Sequence, residues 1–225
     1  VVLPKESHYL TLQEITESVM DLIEMKNSLV IVLFLCLASV GHTQDRMPPI
    51  PVEDLTSEQA AAVAELVAAR GYGPQGPWVS LLRSPEVLNR ARAMGDYMRY
   101  NTSLTPRLSE FVILMTASEW GQAYEWYAHH QIALDAGLDR DIVIALAEGQ
   151  TPEGLAEDEE LLYAFFGELN NDRSVSDGTY ARMLSMFGEK GVIDTVGIIG
   201  YYTLLAMAMN TAQTPAPGPS DPELK

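Results

Sequence analysis

The chain has 225 residues with 14 Lys+Arg against 31 Asp+Glu, a formal net charge of −17. Apolar residues make up 47% and charged residues 20%, so the chain can fill a core and is not disordered as a whole. This excess of acid argues against a nucleic-acid partner, whose affinity comes chiefly from Lys and Arg neutralising phosphates. A single cysteine, Cys36, excludes an internal disulfide and any paired-thiol chemistry within one chain.

Residues 1–44 read as an N-terminal extension ending in a secretory signal. From Met25 the order is Met-Lys-Asn-Ser, the uncharged apolar run 29–40, then Gly-His-Thr-Gln, which is a basic region, an apolar region and a cleavage zone. The run is shorter than the ~20 apolar residues a spanning helix needs, so no stable membrane span is expected after signal removal. Residues 1–24 carry one Lys against five acids and fit poorly before a signal, which suggests a start at Met25. The competing reading is an amphipathic helix over 10–25 joined to a buried apolar segment. The signal reading implies a secreted or periplasmic protein whose mature form has no cysteine. Its net charge would be near −14, from 12 basic and 26 acidic residues.

Residues 45–54 are proline-rich and predict an extended lead-in. Thr56-Ser57-Glu58 starts an alanine-rich helix that ends at Arg70-Gly71. Residues 71–79 form a Gly/Pro loop, and Ser84-Pro85-Glu86 opens a helix reaching Tyr100. Thr105-Pro106 precedes a helix over Leu108–Ser118. Further helices are predicted over 122–136, 140–148, 155–170, 176–187 and 189–211, and the four-proline tail 212–225 reads as disordered. No stretch alternates as a strand does, so the predicted class is all-α with a helical domain over 55–211. Over 192–210 the last helix is apolar almost all round and rich in small residues. It is expected to be a core or subunit-interface helix, which favours a homo-oligomer.

Gly71-Tyr-Gly73-Pro-Gln-Gly76 matches G-x-G-x-x-G formally, but a dinucleotide loop must follow a strand, and here a helix precedes it. Asn101-Thr-Ser is an N-glycosylation sequon. The segment from Gln122 to His130 is more informative. Helical spacing puts Gln122, Glu125, Trp126 and His129 on one face, and Glu125 and His129 at i, i+4 can hydrogen-bond each other. A carboxylate beside an imidazole fixes its tautomer and suits it to proton transfer, although an exposed Glu/His pair on a solvated face has the same spacing. Glu110 interrupts the apolar run 108–115, either turned to solvent or held buried by a partner. His130, about 100° round the helix, reads as a surface or interface residue. Glu125 and His129 supply two ligands without a convincing third, so no metal site is expected.

The stretch Leu104–Gly137, with Leu-Thr-Pro-Arg-Leu-Ser-Glu-Phe-Val-Ile-Leu, then Tyr-Glu-Trp-Tyr-Ala-His and Ala-x-x-Ala-Gly-Leu, resembles the carboxymuconolactone decarboxylase family, which includes the alkylhydroperoxidase D proteins. The resemblance extends more loosely over residues 55–211. It implies an alkylhydroperoxidase D-like helical bundle that assembles as a homotrimer or homohexamer. The peroxidase branch has C-x-x-C-x-x-x-H on this helix and an essential upstream Glu. Here Gln122 and Glu125 stand at the two cysteines, His129 at the histidine and Glu110 at the upstream acid, so paired-thiol peroxidase activity is not expected. A peroxidase working through another thiol would need Cys36 to be retained. The decarboxylase branch has E-x-x-x-H, which Glu125 and His129 reproduce, and it needs no metal or organic cofactor.

The expected activity is therefore that of an exported, cofactor-independent lyase or isomerase acting on a small carboxylate, lactone or carbonyl compound. His129 would shuttle the proton, Glu125 would orient it or act as the second acid, and Glu110 would tune the pair. Gln122, Tyr124, Trp126 and Trp78 are candidate substrate contacts, with Trp78 as a lid residue from the Gly/Pro loop. Arg107, and behind it Arg83, are candidate cations for a substrate carboxylate. The alternative is a non-catalytic oligomeric binding or scaffold protein of the same fold, in which Glu110, Glu125 and His129 could be replaced without loss.

Overall fold

The structure is a computed structural model that describes residues 45–225; the expected signal and Cys36 lie outside the described residues. Over the described residues the protein is built of eight α-helices with no strand: α1 (Ser57–Arg70), α2 (Pro77–Leu81), α3 (Pro85–Tyr100), α4 (Pro106–Glu119), α5 (Ala123–Asp135), α6 (Arg140–Ala147), α7 (Glu157–Asn171) and α8 (Asp177–Ala212). Side-chain caps define several of the starts. Thr56 and Gln59 form a reciprocal capping box at α1, and Thr105, Asp139 and Ser176 accept from backbone amides at α4, α6 and α8.

The central element is α4. Its ten consecutive residues Leu108–Ala117 are buried, and α5, α6, α7 and α8 pack around it. A helix apolar on all sides belongs inside a bundle, and here that position is held by α4. The last helix, expected to be enclosed all round, buries Ile198, Tyr202, Leu205 and Met209 in the core but leaves a stripe of Ile193, Val196, Leu204 and Met207 exposed. It is long and apolar enough to cross a membrane by length and composition. Gly188, at φ 66° and ψ 174°, breaks α8 into the two segments the sequence predicts. Only glycine takes that backbone conformation at little cost.

Asp194 is the acid inside this apolar helix, and it is fully employed. It accepts from Ser103 N at 2.7 Å, Ser103 Oγ at 2.8 Å, Tyr97 Oη at 3.0 Å and Lys190 Nζ at 2.7 Å, so it ties the α3–α4 loop to α8. The hydroxyl of the glycosylation sequon is thereby occupied.

Two segments differ from expectation. The 71–79 loop contains the start of α2, with Pro77 in its first turn and Trp78 5% exposed. The tail is irregular, as its prolines require, yet it lies against the bundle. Pro222 O accepts from the Trp126 indole at 2.8 Å, Lys225 N donates to Ala147 O at 3.0 Å, and Lys225 Nζ and Arg140 pair with Glu148 and Asp221. Proline removes donors but not carbonyls, and a buried indole N–H needs an acceptor.

Candidate active site

Glu110 sits in the first half of α4, facing α5. It is the partner-held alternative of the two the sequence allows: its Oε2 lies 2.7 Å from Nδ1 of His129, and both side chains are buried. With the Glu110 carboxylate as acceptor, Nδ1 is the donor of this bond and Nε2 is the ring nitrogen left over. Nε2 makes no hydrogen bond among the described residues. Tyr202, from α8, packs edge-on to the imidazole with ring centroids 5.1 Å apart at 88°, which fixes the ring plane.

Glu125 was expected to hydrogen-bond His129 one turn along α5. In the structure it does not. The residue is 3% exposed and neither carboxylate oxygen has a hydrogen-bond partner. Burial without a partner penalises the charged form, so the Glu125 carboxyl is pushed well above the ordinary carboxylate value and holds its proton where other acids have lost theirs.

Glu125 and His129 both line one cavity of about 240 Å³, walled by Tyr72, Trp78, Tyr124, Tyr201 and Tyr202 and carrying two cations, Arg70 and Arg99. Burial pushes the phenols of Tyr201 and Tyr202 upward, so both are neutral hydroxyl groups at physiological pH. Four buried side-chain atoms of this lining have neither a hydrogen-bond nor an ion-pair partner among the described residues: two on Glu125, Arg70 Nε and Tyr202 Oη. Each such atom costs about 1–3 kcal/mol. Such a concentration in one cavity marks a place where polar groups await a ligand. Among the described residues no three His, Cys, Asp or Glu side chains converge as metal ligands do.

The remaining predicted residues divide. Tyr124 and Trp78 line the cavity. Trp78 is a fixed wall on α2 beneath the Arg70 guanidinium, 5.6 Å from the ring centroid, and not a lid. Gln122 is the N-cap of α5: Oε1 accepts from Tyr124 N at 2.7 Å and Nε2 donates to Asn210 Oδ1 at 2.7 Å. Trp126 is in the core, because one residue past Glu125 turns the side chain about 100° away from the cavity. His130, read as a surface or interface residue, is buried within the chain, with Nδ1 3.0 Å from Trp126 O. Arg83 bonds the carbonyls of Val79 and Pro48 and ties down the lead-in.

Arg107 is a structural cation. It pairs with Asp158 at 2.5 Å and with buried Glu159, joining the start of α4 to the start of α7. Arg107→Ala leaves buried Glu159 with only the Ala156 amide at 2.8 Å and is expected to cost about 1–3 kcal/mol of stability in urea unfolding. Substrate KM should be unchanged; a raised KM with unaltered stability would return Arg107 to the binding site.

Sequence reasoning missed Arg70, Tyr72, Arg99, Tyr201 and Tyr202. The last pair carried a signal, two adjacent phenols in the segment 192–210, which is otherwise mostly small and aliphatic. Gly76, the last glycine of the G-x-G-x-x-G match, has a different purpose. At φ +54°, a Cβ there would lie 2.4 Å from the Tyr124 ring, so glycine lets the α1–α2 loop close over that wall of the cavity.

No protein-family model and no curated protein matches the chain. Solved structures do match in fold. An uncharacterised peroxidase-related protein with an alkylhydroperoxidase AhpD core from Ralstonia eutropha aligns over 78% of this chain and 94% of its own, with a TM-score of 0.62 and 16% identity. A peroxidase-related protein from Silicibacter aligns over 78% and 95%, with a TM-score of 0.58 and 14% identity. The debrominase Bmp8 aligns over 79% and 94%, with a TM-score of 0.57 and 16% identity. The bundle therefore has the all-α alkylhydroperoxidase D-like fold that the motif implied.

Proposed function

We propose that the protein is a cofactor-independent acid–base enzyme, a lyase or isomerase acting on a small carbonyl, lactone or unsaturated carboxylate compound. The observation that carries this reading is the contrast within one cavity between a carboxyl with no partner, Glu125, and an imidazole held by a carboxylate, His129 with Glu110. A carboxyl that burial keeps protonated serves as the acid of such a pair, and an imidazole oriented by a carboxylate serves as the base.

In an isomerisation, Nε2 of His129 takes a proton from the carbon next to a carbonyl, and the electron pair moves onto the carbonyl oxygen. Glu125 delivers its proton to the new carbon position as the pair returns, and exchange with solvent then removes the proton from His129 and restores the one on Glu125. In a decarboxylation, the C–C bond to the carboxylate breaks, carbon dioxide leaves with neither electron of that bond, and Glu125 protonates the carbon. In this reading Tyr202 Oη, a buried donor without a partner, stabilises the developing oxyanion. No cysteine occurs in residues 45–225, so this chemistry draws on no thiol. The same reading includes export through the apolar segment 29–40. It also includes self-association, for which the exposed stripe on α8 is the support.

The test is a screen of the purified chain for proton exchange and turnover by NMR, against small lactones, β-keto acids and unsaturated carboxylates, with His129→Ala alongside. Turnover that falls by about 10²–10⁴-fold in the variant is the expected result. A folded chain silent across the panel, or a variant as active as the wild type, sinks the acid–base reading and favours a binding protein.

A further inference from the structure

The two cations of the cavity differ in how they are used. Arg70 is committed: its Nη2 lies 2.7 Å from Asp96 Oδ1 and its guanidinium covers Trp78. Arg99, in the last turn of α3, also lines the cavity and is half-buried, yet it makes no hydrogen bond and no ion pair with any described residue. Its one structural contact of note is the Tyr100 ring, 5.4 Å from Cζ to centroid. The acid whose field it feels most directly, Glu110, is already bound to His129. A guanidinium has five N–H donors in a planar fork that matches a carboxylate. In a chain with 31 acidic residues, leaving such a fork without a carboxylate beside an acid–base pair is informative.

We infer that Arg99 anchors the substrate, and that the substrate is a flat, unsaturated carboxylate of about one ring. This rests on the acid–base reading of the cavity and adds to it a required negative charge and the residue that selects for it. The size follows from the volume: about 240 Å³ lies below the roughly 300–1,000 Å³ that holds drug-sized ligands. The shape follows from the walls, since the faces and edges of Tyr72, Trp78, Tyr124, Tyr201 and Tyr202 favour a planar π-system. The carboxylate held at Arg99 keeps the ring in the same cavity as His129 and Glu125. A neutral lactone or amide of the same outline would leave the fork desolvated and unmatched, and would bind more weakly.

The probes are benzoate and its neutral isostere benzamide, titrated at low salt into the full chain and into Arg99→Gln and Arg99→Lys. Shifts of the His129 ring signals in NMR report that binding occurs in this cavity. Benzoate is expected to bind the wild type about tenfold or more tightly than benzamide, a charge-assisted bond being worth at least that factor. Arg99→Gln should erase the preference, Arg99→Lys should restore part of it, and both variants should melt near the wild type because Arg99 supports no other residue. Equal binding of the two probes, a preference that persists in Arg99→Gln, or no benzoate binding to a folded wild type overturns the inference. Failure of the acid–base reading looks different. Benzoate selectivity through Arg99 without any His129-dependent turnover would leave an anion-binding protein, whereas turnover of neutral substrates without benzoate selectivity would leave the enzyme and remove the anchor.

Discussion

Glu125→Gln is expected to make the protein more stable at neutral pH while it loses about 10²–10⁴-fold in turnover. Unfolded, Glu125 gives up its proton near the ordinary value of 4.5; folded, burial holds that proton to higher pH. Between those two values the unfolded chain binds fewer protons than the folded one, so stability falls as pH rises and levels off above the folded value. Glutamine has the shape of the protonated acid and no proton to lose, so the variant lacks this slope. Each tenfold difference in proton affinity corresponds to about 1.4 kcal/mol, and at this chain length 1 kcal/mol moves the melting temperature by ~2–4 °C. Melting curves of the two proteins should therefore coincide below about pH 4 and diverge towards pH 7, with the variant higher. A variant less stable than the wild type at pH 7 would mean that Glu125 is ionised and paired, and the assignment of Glu125 as the acid would fall with it. Stability withheld at one buried carboxyl is the kind of trade expected of an active site rather than of a scaffold.

The parts of this site that could be read from the sequence are those that helical periodicity fixes. Glu125 and His129 are four residues apart on one helix, so their shared face needs only α5 to form. Glu110 was legible as an anomaly, a lone acid in the run that becomes the enclosed helix α4, and burial demanded a partner without naming it. What periodicity could not give was which carboxylate holds the imidazole. Glu110 reaches Nδ1 from a neighbouring helix at 2.7 Å, and that depends on how α4 and α5 cross. The same limit hid Arg70, Arg99, Tyr201 and Tyr202, which reach the cavity from α1, α3 and α8. It also misplaced Arg107, whose nearness to Glu110 along the chain says nothing about the Asp158–Glu159 pair that claims it. Gln122 and Trp126 shared the predicted face of Glu125 and His129, but Gln122 is at the helix cap and Trp126 is turned into the core. The helical organisation was legible because Ser, Thr, Asp, Pro and Gly mark helix ends locally. The docking of the tail was not, because its hydrogen bonds depend on an indole and a carbonyl 96 positions apart.

Glu110→Gln should cost about 10²–10³-fold in kcat while leaving the fold intact. The substitution keeps the volume inside the ten buried residues of α4, so the core need not repack. What changes is the bond to Nδ1. A glutamine amide that turns its NH₂ towards the ring forces Nδ1 to accept, which moves the ring proton to Nε2 and converts the proposed base into a donor. An amide that turns its oxygen inward keeps the tautomer but no longer stabilises the imidazolium formed when Nε2 takes a proton. Either orientation slows proton abstraction, and ¹⁵N chemical shifts of the His129 ring distinguish them. Because Glu110 acts through His129, the double variant Glu110→Gln/His129→Ala should be no slower than His129→Ala alone. Additive losses would assign Glu110 a role independent of the imidazole. A single variant within twofold of the wild-type rate, with the ring tautomer unchanged, would show that the 2.7 Å bond is a packing feature and that the base in this cavity works without its carboxylate.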